Sequence, residues 1–225
     1  MELIEADLHI HSYWSKDALC NPKTILKKAK LKGLRVVAVT DHDTVKGGVE
    51  ALRVSKSSHC EVLVIPGVEV KTDLGDVIAL FVEEEVGRRS FYEVLDEVKS
   101  RGGIVVLPHP FRGHSMVEEM AKHVDAIEVL NARSSRKQNI MALELADKLS
   151  KPMLAGSDAH LSFEIGKARS LLRVDTLELE SLRKAILRPI NVRGRESTSL
   201  VHVLSTALRT LNALGLKRCL HGKLG

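Results

Sequence analysis

Asp7-Leu8-His9-Ile10-His11, with Asp17 close behind, places two imidazoles and two carboxylates in a short stretch. Leu3 to Leu8 reads as a strand running straight into His9. Side chains at i and i+2 of a strand share a face, so His9 and His11 point the same way and form one edge of a metal site. A lone His-x-His is a weak signal. Similar signals return down the chain, each where a strand ends: Asp41-His42-Asp43, Glu69 after Pro66-Gly67-Val68, His109 between two prolines, Glu128 with Asn131, and Asp158 with His160. Imidazole and carboxylate donors without cysteine suit Zn, Mn or Fe. There are too many for one ion, so two or three divalent metal ions are expected, with Glu69 or Asp158 able to bridge. Such a cluster makes hydroxide at neutral pH and clamps both oxygens of a displacement at phosphorus. The chemistry it predicts is hydrolysis of a phosphate ester.

The elements between these residues alternate. Asn21 caps a helix with Pro22 at its first position, and Gly33 ends it. Leu34–Thr40 is a continuous apolar run, as a strand buried on both faces requires. A helix follows through Val49, Leu52 and Val54, then a strand from Glu61 to Ile65. Asp76–Val82 is a further strand, hairpin-paired with Glu69–Thr72. Ser90 and Glu93 have capping-box spacing, opening a helix that runs to Arg101. Strands at 104–107, 125–130, 152–155 and 169–174 are separated by helices at 116–123 and 136–149, and a last helix passes through Leu182 and Ile186. This order predicts parallel strands with crossover helices. In a barrel, the strand ends converge on one mouth, where the polar residues would meet. No glycine-rich phosphate loop follows the first strand, which argues against an open nucleotide-binding sheet. The fold class expected is α/β, a barrel that is distorted or short of eight strands.

Residues 1–190 read as the barrel domain and 191–225 as a basic, amphipathic helical extension. From Ser181 onward there are nine Lys/Arg and one acid, whereas the preceding part carries a net charge of −3. The basic tail could meet nucleic acid. Leu200, Val203, Leu204, Ala207, Leu208, Leu211 and Leu214 fall at helical spacing within Thr198–Leu220. That helix packs on the barrel or on a second copy, giving a homo-oligomer. The chain shows no apolar run able to span a bilayer, and its start lacks the basic region of a signal peptide. Its three scattered cysteines read as free thiols, which points to the cytoplasm.

The five motifs, Asp7 to His11, Thr40-Asp41-His42-Asp43, Gly67-Val68-Glu69, Pro108-His109-Pro110 and Gly156-Ser157-Asp158-Ala159-His160, occur in the order of the PHP (polymerase and histidinol phosphatase) family. The chain resembles that family over roughly residues 3 to 175. The resemblance implies a distorted (β/α)7 TIM-like barrel with a trinuclear metal site at the C-terminal ends of the strands, and phosphoesterase activity. His9 and His11 would hold one metal with Glu69 and Asp158. Glu69 would bridge to a second metal bound by His109. His42 and His160 would serve the third with Asp17, and hydroxide held between metals would attack phosphorus. Arg112 and Arg133 are candidates to bind phosphate oxygens bidentately. Many relatives carry another histidine or cysteine after the Gly-Val-Glu motif; here Asp76 is the substitute. Glu128, or Asn131, stands where some relatives use histidine or cysteine.

Beside the metal set, Asp41 reads as a carboxylate orienting a ligand imidazole. Asp41, His160, Arg112 and Arg133 complete the catalytic reading. Asp43 reads as the cap of the next helix. His59, His114, His123, His202 and His221 read as surface or packing residues, with His114 able to visit the mouth. Trp14 lines the pocket, stacks on a base or packs. The expected substrate is a small phosphomonoester, a nucleotide or the 5′ end of an oligonucleotide. The alternatives are a non-catalytic subunit of an RNA-processing or polymerase-associated assembly, and an amidohydrolase. The latter ordinarily wants a metal-bridging lysine, and no lysine stands at a strand end.

Overall fold

The computed structural model describes residues 1–87, 89–198 and 200–214. The strands are β1 (Glu2–Ile10), β2 (Val36–His42), β3 (Leu63–Lys71), β4 (Asp76–Leu80), β5 (Ile104–Leu107), β6 (Ala126–Asn131), β7 (Met153–Gly156), β8 (Ala168–Val174) and β9 (Asn191–Gly194). The helices are α1 (Pro22–Leu31), α2 (Lys46–Ser57), α3 (Phe91–Ser100), α4 (Val117–His123), α5 (Arg136–Lys148), α6 (Leu179–Ile186) and α7 (Leu200–Ala213). No described helix is long and apolar enough to cross a membrane. The helix starts follow local chemistry. Asn21 accepts from the Thr24 amide at 2.7 Å, and Ser90 with Glu93 forms the expected capping box. Asp43 does not cap α2, whose N-cap is Val45 without a side-chain bond. Its carboxylate instead accepts from the Lys71 amide.

All nine strands join one sheet in the order β7-β6-β5-β4-β3-β2-β1-β8-β9. The sheet curls into a nearly closed barrel. Its seam lies between β7 and β1, where Ile10 bridges Ala159, the His11 amide donates to Ala159 O, and the Asp158 amide donates to His9 O. The expected hairpin of β3 and β4 is present, and the expectation of parallel strands elsewhere is corrected. β1–β2–β3 and β5–β6–β7 are parallel, but β4 runs antiparallel to both its neighbours, and β8 pairs antiparallel with β1 and β9. The β3–β4 link is too short for a crossover helix, so it must reverse the chain.

Ile4, Ala6, Leu8, Val36, Ala38, Ile65, Ile78, Leu80, Ile104, Val106, Ala126, Leu154 and Leu172 share one cluster. Side chains from eight strands can meet only inside the barrel. α6 adds Leu182, Ala185 and Ile186 to that cluster and plugs the end opposite the mouth. Two outer clusters glue the helices on: Val37, Val39 and Val64 pack against α1 and α2, and Val105, Leu107 and Ile127 against α3, α4 and α5.

Strict alternation from Ile4, Ala6 and Leu8 would send His9 and His11 outward. The β1–β2 register shifts between Asp7 and Ile10. A bulge of this kind inserts one residue and reverses the facing of the residues beyond it. Ile10 accordingly joins the outer cluster, and the two histidines turn into the mouth. A second register shift lies between Glu128 and Leu130 in β6, so Glu128 and Asn131 can both face inward.

Candidate metal centre

His9 Nδ1 lies 3.1 Å from Glu128 Oε1, and His11 Nδ1 lies 3.1 Å from Ser15 Oγ. These bonds fix the rings so that both Nε2 atoms face each other at 3.0 Å. Glu69 Oε2 sits 3.5 Å from His9 Nε2 and 3.4 Å from His11 Nε2. Asp158 Oδ1 sits 3.7 and 3.3 Å from the same two atoms. A tetrahedron of donors about 2.0–2.1 Å from a zinc-like ion has edges of about 3.3–3.4 Å. The five separations bracket that value.

Two further groups adjoin the first. His109 Nε2 is 2.9 Å from Glu69 Oε1, and His9, Glu69 and His109 offer donor atoms all within 4.8 Å of one another. His11, His42 and His160 form another such group, with Asp17 Oδ1 3.3 Å from His160 Nε2 and 3.8 Å from His42 Nε2. Among the described residues Asp17 Oδ1 and Glu69 Oε2 are buried and meet no donor in hydrogen-bond geometry, although His42 Nδ1 lies 3.0 Å from Glu69 Oε2. An unpaired buried carboxylate oxygen is costly unless a cation neutralises it. The donor chemistry, the spacing and these two orphaned oxygens fit divalent ions.

The field inside the mouth is strongly coupled. Burial works against ionising Glu69, yet His42 and His9 hold its carboxyl well below the usual range. Burial likewise opposes the Asp158 carboxylate, and Arg112 and His9 overcome it. Burial would depress His42, but Glu69 and Asp17 push it up to about 9. His11 is held well below its ordinary value by burial, His160 and His42.

The structure assigns different work to several residues that the sequence reading placed among the ligands or catalytic groups. Glu128 spends Oε1 on His9, and its Oε2 accepts from the His109 amide at 2.9 Å and from Asn131 Nδ2 at 2.9 Å. Both of its oxygens are thus engaged by protein groups. Asp41 touches no ligand imidazole directly. It accepts from the Ser12 and Ser15 amides and hydroxyls, and Ser15 relays it to His11. Arg133 does not offer a free fork, because its Nε and Nη2 bind Glu164 at 2.9 and 2.8 Å. Arg112 reaches the mouth, bonding Asp158 and Asn131. Asp76 lines the cavity with Glu69 and His109. His114 stands with its ring 5.4 Å from that of His109.

Sequence reasoning missed four contributors. Ser12 and Ser15 look like loop residues. Glu164 is fully buried and ties Arg133 to the His160 amide. Arg209 donates to Asp17 Oδ2 at 2.7 Å. His202, read as a surface residue, lines the cavity beside it. The helical spacing of the tail shows an inward face but not the barrel end on which it lands. Lys217, Arg218 and His221 of the tail reading lie outside the described residues.

Comparison with known proteins gives a consistent picture. The family model described as PHP domain matches residues 7–154, and one described as PHP-associated matches residues 136–188. The uncharacterized protein MJ0417 of Methanocaldococcus jannaschii is 33% identical over 239 residues, spanning 99% of this chain and 91% of that protein. A crystal structure of a two-domain protein containing a predicted PHP-like metal-dependent phosphoesterase, from Bacteroides vulgatus, aligns with a TM-score of 0.72 at 17% identity, covering 92% of this chain and 70% of that one. The lesion-specific endonuclease PfuEndoQ of Pyrococcus furiosus aligns with a TM-score of 0.65 at 18% identity, covering 96% and 72%. At these identities the structures share the fold.

Proposed function

The chain belongs to the PHP domain family, and on that premise we propose that it is a metal-dependent phosphoesterase that releases phosphate from a small phosphomonoester or nucleotide. The observation that carries this reading is the set of His9, His11, Glu69 and Asp158 donors at ion-sized separations, with orphaned carboxylate oxygens on Glu69 and Asp17. These four residues would hold one ion, and His42, His160 and Asp17 a second. Glu69 Oε1 with His109 offers a third position with fewer donors. Bound there, divalent ions supply Lewis acidity and an activated water at neutral pH.

The protein's own groups then have separable tasks. Ser15 and Glu128 fix the His11 and His9 ring orientations, each acting through the ring nitrogen away from the cluster. Arg112, between Asp158 and Asn131 at the rim, is placed to neutralise charge on a phosphate oxygen. Arg133 and Glu164 brace the His160 loop from behind. The near-complete donor set supports an enzyme over a fold retained as a non-catalytic subunit.

The test is elemental analysis of the purified protein together with phosphate release from histidinol phosphate, nucleoside 3′,5′-bisphosphates and 5′-phosphorylated oligonucleotides. Two or three equivalents of Zn, Mn or Fe, with release from one of these, is the expected result. A protein that takes up no metal and turns over none of them refutes the proposal.

A further inference from the structure

α7 crosses the mouth rather than packing on the barrel wall. Val201 and Leu208 face in and are buried, and Ser205 Oγ accepts from Arg133 Nη2 at 2.8 Å. The inner cavity of about 240 Å³ therefore has two unlike sides. Its floor is the carboxylate and imidazole set. Its roof carries Arg112, Arg133, His202 and Arg209. Besides burial, the Arg133 and Arg112 guanidiniums hold His202 below the ordinary imidazole range.

Of the three guanidiniums, Arg133 is committed to Glu164 and Ser205, and Arg112, which keeps the phosphate role given above, bonds Asp158 and Asn131 with 31% of its side chain exposed. Arg209 meets Asp17 through Nη2 and keeps 69% of its side chain exposed. It also stands on the boundary of a second, outer chamber of about 480 Å³ that includes Trp14, Lys16 and Lys71. A guanidinium fork matches two oxygens of a phosphate.

We propose that Arg209 is the specificity-determining residue of this site: it grips non-bridging oxygens of the scissile phosphate from above, selecting terminal phosphomonoesters. The inference rests on the phosphoesterase reading and names the residue that sets its ester class. A monoester sends its one substituent into the outer chamber, past Trp14. A diester needs a second exit from the inner cavity, whose α7 wall is lined by His202, Ser205 and Thr206. A monoester dianion also presents two negative charges spread over three non-bridging oxygens, whereas a diester presents one spread over two, so the guanidinium charge favours the monoester.

The experiment compares the full-length metal-loaded protein with Arg209→Gln and Arg209→Lys. Metal content is read by elemental analysis, inorganic phosphate binding by calorimetry, and kcat/KM with p-nitrophenyl phosphate and bis(p-nitrophenyl) phosphate. Expected for Arg209→Gln are unchanged metal content, phosphate binding weaker by about 10–100-fold, as for a lost charge-assisted bond, and a monoester-to-diester preference reduced by about tenfold or more. Arg209→Lys recovers part of both. Phosphate affinity within about twofold of the parent in Arg209→Gln overturns the proposal. So does loss of metal from that variant, because the residue would then act only through Asp17. A parent protein with no metal and no turnover refutes the phosphoesterase reading itself, and the parent is measured before any variant.

Discussion

Replacing Glu128 with glutamine separates an orienting carboxylate from a ligand. Glutamine keeps the shape but turns one oxygen into an NH2. In one orientation that NH2 faces His9 Nδ1, which in the present structure lies 3.1 Å from the carboxylate. In the other it faces the His109 amide and Asn131 Nδ2, both 2.9 Å away. Either way one donor meets another in a site where Glu128 is 3% exposed. A hydrogen bond to a charged group contributes about 1.5–3 kcal/mol. Its loss at His9 releases the ring from the orientation that aims Nε2 at the cluster. A cost of about 2 kcal/mol is roughly 30-fold in metal affinity, inside the range of about 10–100-fold for residues that orient ligands. Competition with a chromophoric chelator measures the affinity, and circular dichroism of the metal-free proteins checks the fold. Affinity within about threefold of the parent would sink the reasoning. Loss of one whole equivalent of metal would restore Glu128 to the ligand set.

Other substitutions probe other links. Asp158→Asn keeps the side chain's size and should leave the fold intact by circular dichroism while metal-dependent phosphate release falls by more than the roughly 100-fold typical of orienting residues. Retained turnover would remove Asp158 from the centre. Gly156→Ala places a Cβ 2.3 Å from His9 Cβ and 2.5 Å from Glu128 Oε1, an overpacking that should lower stability by about 3 kcal/mol and lose metal; denaturant melts and elemental analysis read both. Phe91→Ala empties a fully buried position between α3 and the sheet and should cost about 3–5 kcal/mol by urea titration. Burial, with lesser help from Glu164 and Asp41, pushes the Cys20 thiol up to about 12. Iodoacetamide at pH 8 should therefore spare Cys20 in the native protein and label it on unfolding; mass spectrometry of native-state digests decides.

The gathering of imidazoles and carboxylates was legible because most of them sit at the mouth end of a strand or just past it, and parallel strands bring such ends together. His42 and Glu69 even follow the inward alternation of β2 and β3. Other features had no local sign. The β1 bulge that turns His9 and His11 inward depends on pairing with β2. The reversal of β4 was visible as a hairpin, but that of β8 was not, since either direction buries the same apolar pattern. Glu128 looked like a donor because its type and place suit a ligand; only its three partners assign it to orientation. Arg209 was counted as tail charge, because helical periodicity gives a face without its destination.

The seam between β7 and β1 also sets the order in which the protein can be made. The Ser157 amide reaches back 150 residues to Asp7, His9 meets Glu128 119 residues on, and Arg209 meets Asp17 across 192. During vectorial synthesis, β1 emerges with its two histidines long before the carboxylates that complete their site. Such distant contacts close late and slowly. Until then the nascent chain offers only a weak pair of imidazoles, and strong ion uptake coincides with closure of the barrel. Emergence of α7 is then the step that roofs the mouth.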